Sequence, residues 1–181
     1  MNGSIFLDIE DYENVPDSFY ASIGRALWIA QNFEGSCRSL MFLIDIKKEF
    51  DGQNLEELGE KALKRLLGNN IQALASIVKN NIPEDIFKYL FNILDEARKA
   101  RNFIAHEITY KSGELSIYPE RLKEFTEEIS EKVSIISEAD KNICGIVSTI
   151  TEQPIPTDLS RYPKNIANWV CEPLKMITSK K

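Results

Sequence analysis

One stretch of the chain decides the fold: SFYASIGRALWIAQNFEGSCRSLMFLI, residues 18–44. Apolar residues recur in it at intervals of three and four, at Phe19, Ile23, Ala26, Ala30, Phe33, Cys37, Leu40, Met41 and Ile44. This spacing is typical of one helix face and extends over about seven turns. It predicts a helix from Asp17 or Ser18 to about Phe50, packed on a core along one side.

The same period continues outward and predicts helices over residues 55–67, 71–78, 83–107 and 119–150. Gly68-Asn69-Asn70 indicates the end of the second helix, while Pro83 and Pro119 are typical of helix starts. Residues 108–118 alternate between apolar and polar, which favours a small hairpin or an extended loop. The predicted fold class is all-α, an antiparallel up-and-down helical bundle with a small hairpin or loop insertion and a C-terminal tail.

The prolines Pro154 and Pro156 divide the chain into two predicted parts. Residues 1–153 form the helical bundle domain, and residues 154–181 form a Pro-containing tail with a short helix around Trp169 and Val170. The last long helix, at 1.5 Å per residue, should reach roughly 45 Å. We expect it to extend past the bundle and offer surface to a second subunit.

Composition limits the class of protein. The chain has 181 residues, of which 43% are hydrophobic and 28% charged, and these are ordinary globular values. No run approaches the roughly 20 apolar residues of a membrane span. Cys37, Cys144 and Cys171 are an odd number at wide spacings, which predicts buried free thiols in a reducing, cytoplasmic compartment. A single histidine and no CxxC pair argue against zinc, and we expect no metal and no cofactor.

The net charge of −6 disfavours non-specific binding of nucleic acid by the whole surface. Arg98, Lys99 and Arg101 nevertheless form a local basic cluster, and such a cluster is able to hold a phosphate on an acidic protein.

Arg101 breaks the pattern of its helix. On a helical wheel it lies near the middle of an apolar sector formed by Ile86, Phe87, Leu90, Leu94, Ala97, Ile104, Ala105 and Ile108. An unpaired buried guanidinium costs several kcal/mol or more, so this position requires a carboxylate, a phosphate or a solvated interface. Glu34 is the candidate partner. Two alternatives remain open: Arg101 is a structural ion pair that fixes helix register, or Glu34 pairs on the surface with Arg38, four residues on.

His106 is the only histidine, and imidazole is the side chain whose unperturbed pKa suits proton transfer at neutral pH. Asn102 precedes it by one turn and shares its helix face. On an ideal helix, Arg101 and His106 lie about 140° apart. They converge only if Arg101 reaches around, if the helix unwinds near Ala105, or if two subunits face each other.

The string Arg101-Asn102-Phe103-Ile104-Ala105-His106 resembles the signature of the HEPN superfamily, in which histidine follows arginine by four to six residues. Residues 23–34 also look like the first helix of uncharacterised bacterial members, and the resemblance covers residues 18–150. It implies a helical domain that dimerises and brings two copies of the motif into one cleft. Catalytic members are metal-independent endoribonucleases, many of them in toxin–antitoxin or phage-defence systems, and other members serve as binding modules.

The leading hypothesis is therefore a homodimeric, metal-independent endoribonuclease. His106 acts as acid or base, Arg101 clamps the phosphate, and Asn102 orients the histidine or the substrate. Glu34, Arg98 and Tyr110 are the supporting residues of the predicted site, although packing is the favoured role of Tyr110.

Single-stranded RNA is the expected substrate, because its backbone is able to splay into a cleft. The other expected partners are a second copy of the chain and an antitoxin protein. Two alternatives remain: a non-catalytic helical dimer that binds RNA, nucleotide or a protein partner, and a scaffold.

Overall fold

A computed structural model describes residues 17–49, 55–79, 83–108, 111, 119–154 and 159–178. These residues form helices and contain no strand. In chain order the helices are α1 (Asp17–Glu49), α2 (Leu55–Lys64), α3 (Leu67–Val78), α4 (Glu84–Asn102), α5 (Leu122–Thr151) and α6 (Tyr162–Thr178). A π-helical turn, Phe103–Glu107, continues α4, and a 3₁₀ turn, Pro119–Arg121, leads into α5. The predicted all-α bundle is confirmed.

One core holds the bundle together, and α5 lies at its centre, where it packs against α1, α4 and α6. Burying each large apolar side chain contributes roughly 1.5–3 kcal/mol, so this shared core dominates the stability. Its largest fully buried members include Phe19, Phe33, Leu40, Leu94, Ile104, Ile129, Ile136 and Leu174. Three neighbouring helices therefore pack on α5, and the prediction that it extends past the bundle to a second subunit stays a prediction.

The C-terminal helix is part of the same core. Residues Ala167, Val170, Cys171 and Leu174 of α6 are buried with residues of α1 and α5. The short helix expected around Trp169 and Val170 is therefore 17 residues long and docked on the body of the protein. Within the described residues, no helix is both long and apolar enough to span a membrane.

The predicted break at Gly68-Asn69-Asn70 is wrong. Helix α2 ends at Lys64, and α3 begins at Leu67, so the Gly-Asn-Asn sequence lies in the first turns of a helix. The physical reason is burial: Leu67, Ile71 and Leu74 all face the core at helical spacing. Packing of this face outweighs the weak local preference of Gly and Asn for a helix end.

Two smaller expectations are wrong, and a third lies mostly outside the described residues. Ile86 belongs to the predicted apolar sector of α4 but is 51% exposed, because it lies in the first turn, away from the core. Cys144 is exposed on α5, whereas Cys37 and Cys171 are buried free thiols as predicted. Ile108 and Lys111 are helical, and most of the segment predicted as a hairpin or loop, 109–110 and 112–118, lies outside the described residues.

Candidate functional site

Arg101 is paired with Glu34, as the sequence predicted. Its helix buries Leu94, Ala97 and Ile104 on either side of it, and its side chain is 23% exposed. The Arg101 Nη2 donates to Glu34 Oε2 of α1 at 2.5 Å. A charge-assisted bond of this kind offsets the cost of placing a guanidinium in an apolar stripe.

Glu34 is shared between two arginines. Arg38 Nη2, one turn later on α1, donates to the other carboxylate oxygen, Oε1, at 2.5 Å. Both interpretations of Glu34 therefore hold together: it is a helix-surface pair with Arg38 and the partner of Arg101. Its side chain is only 13% exposed, so water screens the three charges weakly. The trio carries a net charge of +1.

Asn102 contacts the arginine of the site. Arg101 Nη1 donates to Asn102 Oδ1 at 3.3 Å, which leaves the amide NH₂ group of Asn102 as a further donor. The observed contact fixes Arg101, while the role predicted for Asn102 in orienting the histidine or the substrate stays a prediction. Asn102 is half-buried at the last position of α4.

The π-helical turn connects this arginine to His106. Its defining bond runs from the backbone N–H of Ile108 to the carbonyl of Phe103, five residues earlier. A turn closed by such a bond winds more slowly than an α-helix, so it reduces the angle of about 140° that separates Arg101 from His106 on an ideal helix. The helix thus unwinds around Ala105, one of the three ways of convergence considered above. π-turns occur frequently at functional sites.

The imidazole of His106 is exposed to solvent. Among the residues that the structure describes, no side chain hydrogen-bonds to it or pairs with it, whereas the neighbouring Arg101 is held by two side chains. The only histidine of the chain therefore lies at the surface, one turn beyond a fixed cation.

The remaining members of the predicted basic cluster are engaged elsewhere. Arg98 donates from Nε and Nη2 to Asp95 Oδ1 at 3.0 and 2.8 Å, and Lys99 Nζ lies 2.8 Å from Asp95 Oδ2. These hydrogen bonds, from Lys99 first and Arg98 second, lower the pKa of Asp95. Arg98 is therefore held by Asp95, its predicted supporting role stays a prediction, and Tyr110 lies outside the described residues.

A buried thiol lies beneath the carboxylate of the site. Cys37 is 4% exposed, one residue before Arg38. Burial raises its pKa far above the ordinary value, and the charges of Asp140 and Glu34 raise it further. Cys37 is thus a buried packing residue whose thiol stays protonated at neutral pH.

Two clefts of the described residues do not include Arg101, Glu34 or His106. Two open clefts, of about 380 and 310 Å³, lie beside α5 and are lined by other residues, among them Ser130, Cys171 and Lys175 in the first and Lys99, Glu131 and Lys132 in the second. In the described part of the chain, no three His, Cys, Asp or Glu side chains are grouped to hold a metal ion.

No family model matches the chain, and neither a curated protein nor a solved structure is similar enough to match it.

Proposed function

We propose that this protein is a metal-independent endoribonuclease that acts as a homodimer. One observation carries the proposal: the exposed imidazole of His106 follows, across a π-turn, an arginine that shares its carboxylate with a second arginine. Phosphodiester cleavage by the 2′-hydroxyl requires a proton-transfer group and a cation, and this short segment carries both.

The charge balance of the trio supports phosphate binding. Two guanidinium groups, on Arg38 and Arg101, share the single carboxylate of Glu34. Each guanidinium carries five N–H donors, and the one carboxylate accepts only part of them. A phosphate is therefore able to bind to Arg101 without displacing Glu34, and the planar fork of arginine suits its oxygens.

The reaction follows from these groups. The 2′-oxygen of the RNA attacks the adjacent phosphorus while a base takes its proton, the bond from phosphorus to the 5′-oxygen breaks, and an acid gives that oxygen a proton. The products are a 2′,3′-cyclic phosphate and a 5′-hydroxyl. One imidazole does not serve as base and acid in the same step, but two copies of the chain supply two His106 side chains.

The proposed toxin–antitoxin or phage-defence setting, with an antitoxin protein as a further partner, follows from the resemblance to the HEPN superfamily alone. The proposed cytoplasmic location rests on the odd number of widely spaced cysteines, and single-stranded RNA is the proposed substrate because its backbone is able to splay into a cleft.

The test compares the wild type with His106→Ala and Arg101→Ala on total RNA in the presence of EDTA. Lys88→Ala is the matched control, because Lys88 is an exposed cation of the same helix that pairs with Glu84. We expect cleavage and growth arrest for the wild type and for Lys88→Ala, and neither for the other two. An inert wild type at micromolar enzyme, or equal cleavage by His106→Ala, contradicts the proposal.

A second candidate is a non-catalytic dimer that binds RNA, nucleotide or a protein through the same surface. The observation that favours it is the bond between Arg101 and Glu34, which already holds the arginine in place without a ligand. In this case a labelled single-stranded RNA binds with a change in fluorescence anisotropy and is recovered intact, and His106→Ala binds as the wild type does.

A further inference from the structure

Helix α3 begins without the residues that normally complete a helix start. Its N-cap residue is Leu66, whose side chain has no acceptor and makes no capping hydrogen bond. The first hydrogen bond of the helix runs from the backbone N–H of Asn70 to the carbonyl of Leu66. No described residue accepts a hydrogen bond from the backbone N–H groups of residues 67–69. The first turn also carries no acidic residue, whereas α2 and α4 each begin with two.

Asn70 places an amide on a helix face that is otherwise apolar. It is 1% exposed and shares this face with Leu67, Ile71 and Leu74 of the core. Within the described part of the chain, neither Oδ1 nor Nδ2 of Asn70 has a hydrogen-bond partner. A buried amide without a partner costs its full desolvation free energy, so the position calls for a ligand or an apolar residue. Because Cα–Cβ bonds tilt towards the N-terminus of a helix, the amide is directed back to the first turn of α3.

Arg65 lies two residues before the helix and has donors to spare. Its Nη2 lies 3.1 Å from Oδ2 of Asp45 on α1, and its side chain is only 18% exposed. Its Nη1 is buried and makes no hydrogen bond to a residue that the structure describes. A guanidinium that is only partly paired therefore adjoins the uncapped start of α3.

Arg98 of α4 approaches the same turn from the neighbouring helix. A Cβ added to Gly68 would lie 3.8 Å from Arg98 Cδ, so the aliphatic part of the arginine packs on the first turn of α3. Arg98 donates to Asp95 from Nε and Nη2. Its Nη1 is bonded to none of the described residues, which leaves a second guanidinium with donors beside this turn.

The charge at this junction is positive. Three cations meet two carboxylates there, namely Arg65, Arg98 and Lys99 against Asp45 and Asp95. The N-terminal end of the α3 dipole adds a further partial positive charge. The net charge of +1 and the unpaired N–H groups favour the binding of an anion.

We infer that the first turn of α3 is a binding site for a phosphate group. The backbone N–H groups of residues 67–69, the amide of Asn70, and the guanidinium groups of Arg65 and Arg98 are its donors. They belong to different elements, so they suit an anion with more than two oxygens, and the planar fork of arginine matches phosphate. Gly68 is half-buried and Asn69 is exposed, so the turn is open to solvent. The site shares no residue with the Arg101–Glu34–Arg38 trio, and the inference does not depend on ribonuclease activity.

Titration calorimetry with inorganic phosphate, at constant ionic strength in chloride, tests the site. Gly68→Asp places a carboxylate in the first turn and should weaken binding at least about tenfold. Gln72→Glu is the matched control, because it adds the same charge at an exposed position further along α3, and it should bind as the wild type does. Absence of saturable binding by the wild type, or equal binding by Gly68→Asp and Gln72→Glu, overturns the inference.

Two further variants separate this site from other roles. Arg101→Met removes the phosphate contact of the proposed function and should retain the binding that Gly68→Asp loses. Asn70→Leu removes the unpaired amide at similar volume. It should retain the helical content by circular dichroism and weaken phosphate binding. Loss of binding in Arg101→Met alone, or wild-type binding by a folded Asn70→Leu, contradicts the inference.

Two competitors identify the source of the phosphate group. Adenosine 5′-monophosphate carries a terminal phosphate, and the dinucleoside adenylyl-adenosine carries only a diester. Displacement of inorganic phosphate by both assigns the site to the backbone of RNA as well as to terminal phosphates, and displacement by the mononucleotide alone restricts it to terminal phosphates. Either result supports the site if Gly68→Asp abolishes it. A wild type that binds phosphate here but leaves RNA intact contradicts only the proposed function, and a wild type that cleaves RNA without this binding contradicts only the phosphate site.

Discussion

The guanidinium of Arg101 binds the carboxylate of Glu34, 67 residues earlier in the chain, and Arg38 binds the other oxygen of the same carboxylate. The bond joins the end of α4 to the middle of α1. The two arginines share one carboxylate, so the loss of Glu34 and the loss of one arginine are not equivalent. Glu34 has a replacement partner if one arginine is lost, whereas among the described residues neither arginine pairs with a second carboxylate.

This asymmetry predicts unequal effects on stability. Arg101→Met should lower the free energy of unfolding by less than about 1 kcal/mol, because Glu34 keeps Arg38. Glu34→Gln should cost about 1–3 kcal/mol, because it leaves two half-buried cations side by side. Urea unfolding measures both values. Equal losses, or a larger loss for Arg101→Met, would show that Arg101 is the structural centre of the trio.

The long elements of the fold could be predicted because each carries a continuous apolar face. The periodicity in residues 18–44 gave α1, and the same signal gave α4 and α5. The boundary between α2 and α3 was misplaced, because Gly68-Asn69-Asn70 resembles a helix end locally and only its burial shows otherwise. Where local composition and packing favour different structures, packing decides which structure forms.

The candidate site was predictable in part. The partnership of Arg101 and Glu34 followed from the cost of an unpaired cation in an apolar stripe. The bond from Arg101 to Asn102 did not, because it depends on side-chain rotamers. Unwinding of the helix was only one of three ways in which Arg101 and His106 could converge. The sequence could not select it, because α-helical and π-helical turns are formed by the same residue types.

The buried thiol of Cys37 predicts a loss of stability at alkaline pH. Its pKa is raised in the folded protein, first by burial and then by Asp140 and Glu34, whereas the unfolded thiol titrates near 9.0. Above this pH only the unfolded chain releases the proton, so unfolding becomes more favourable by up to about 1.4 kcal/mol per pH unit. Below about pH 9.0 the contribution of the protonated Cys37 thiol to the stability of the folded protein is fully present.

Denaturant unfolding between pH 8 and pH 10.5 measures this effect. The decline should be shallower in Cys37→Ser than in the wild type, and the comparison uses the slopes because the substitution also changes packing. Parallel curves for the two proteins would mean that Cys37 ionises equally well in both states.

Thiol reactivity should separate the cysteines. Cys144 is exposed, while Cys37 and Cys171 are buried. Dithiobis(nitrobenzoic acid) should therefore modify one thiol of the native protein and all three after unfolding. Burial and Asp140 raise the pKa of Cys144, so its reaction should be slower than that of a free thiol. Rapid modification in native Cys144→Ser would contradict the described core.

The most direct test of the central claim is the cleavage of one single-stranded RNA and its 2′-O-methyl counterpart by the wild-type protein in EDTA. Attack by the 2′-hydroxyl predicts that the RNA is cut to products with 2′,3′-cyclic phosphate and 5′-hydroxyl ends, that the methylated strand stays intact, and that His106→Ala and Arg101→Ala cut neither strand. Intact RNA at micromolar protein, or equal cleavage of both strands, would contradict it.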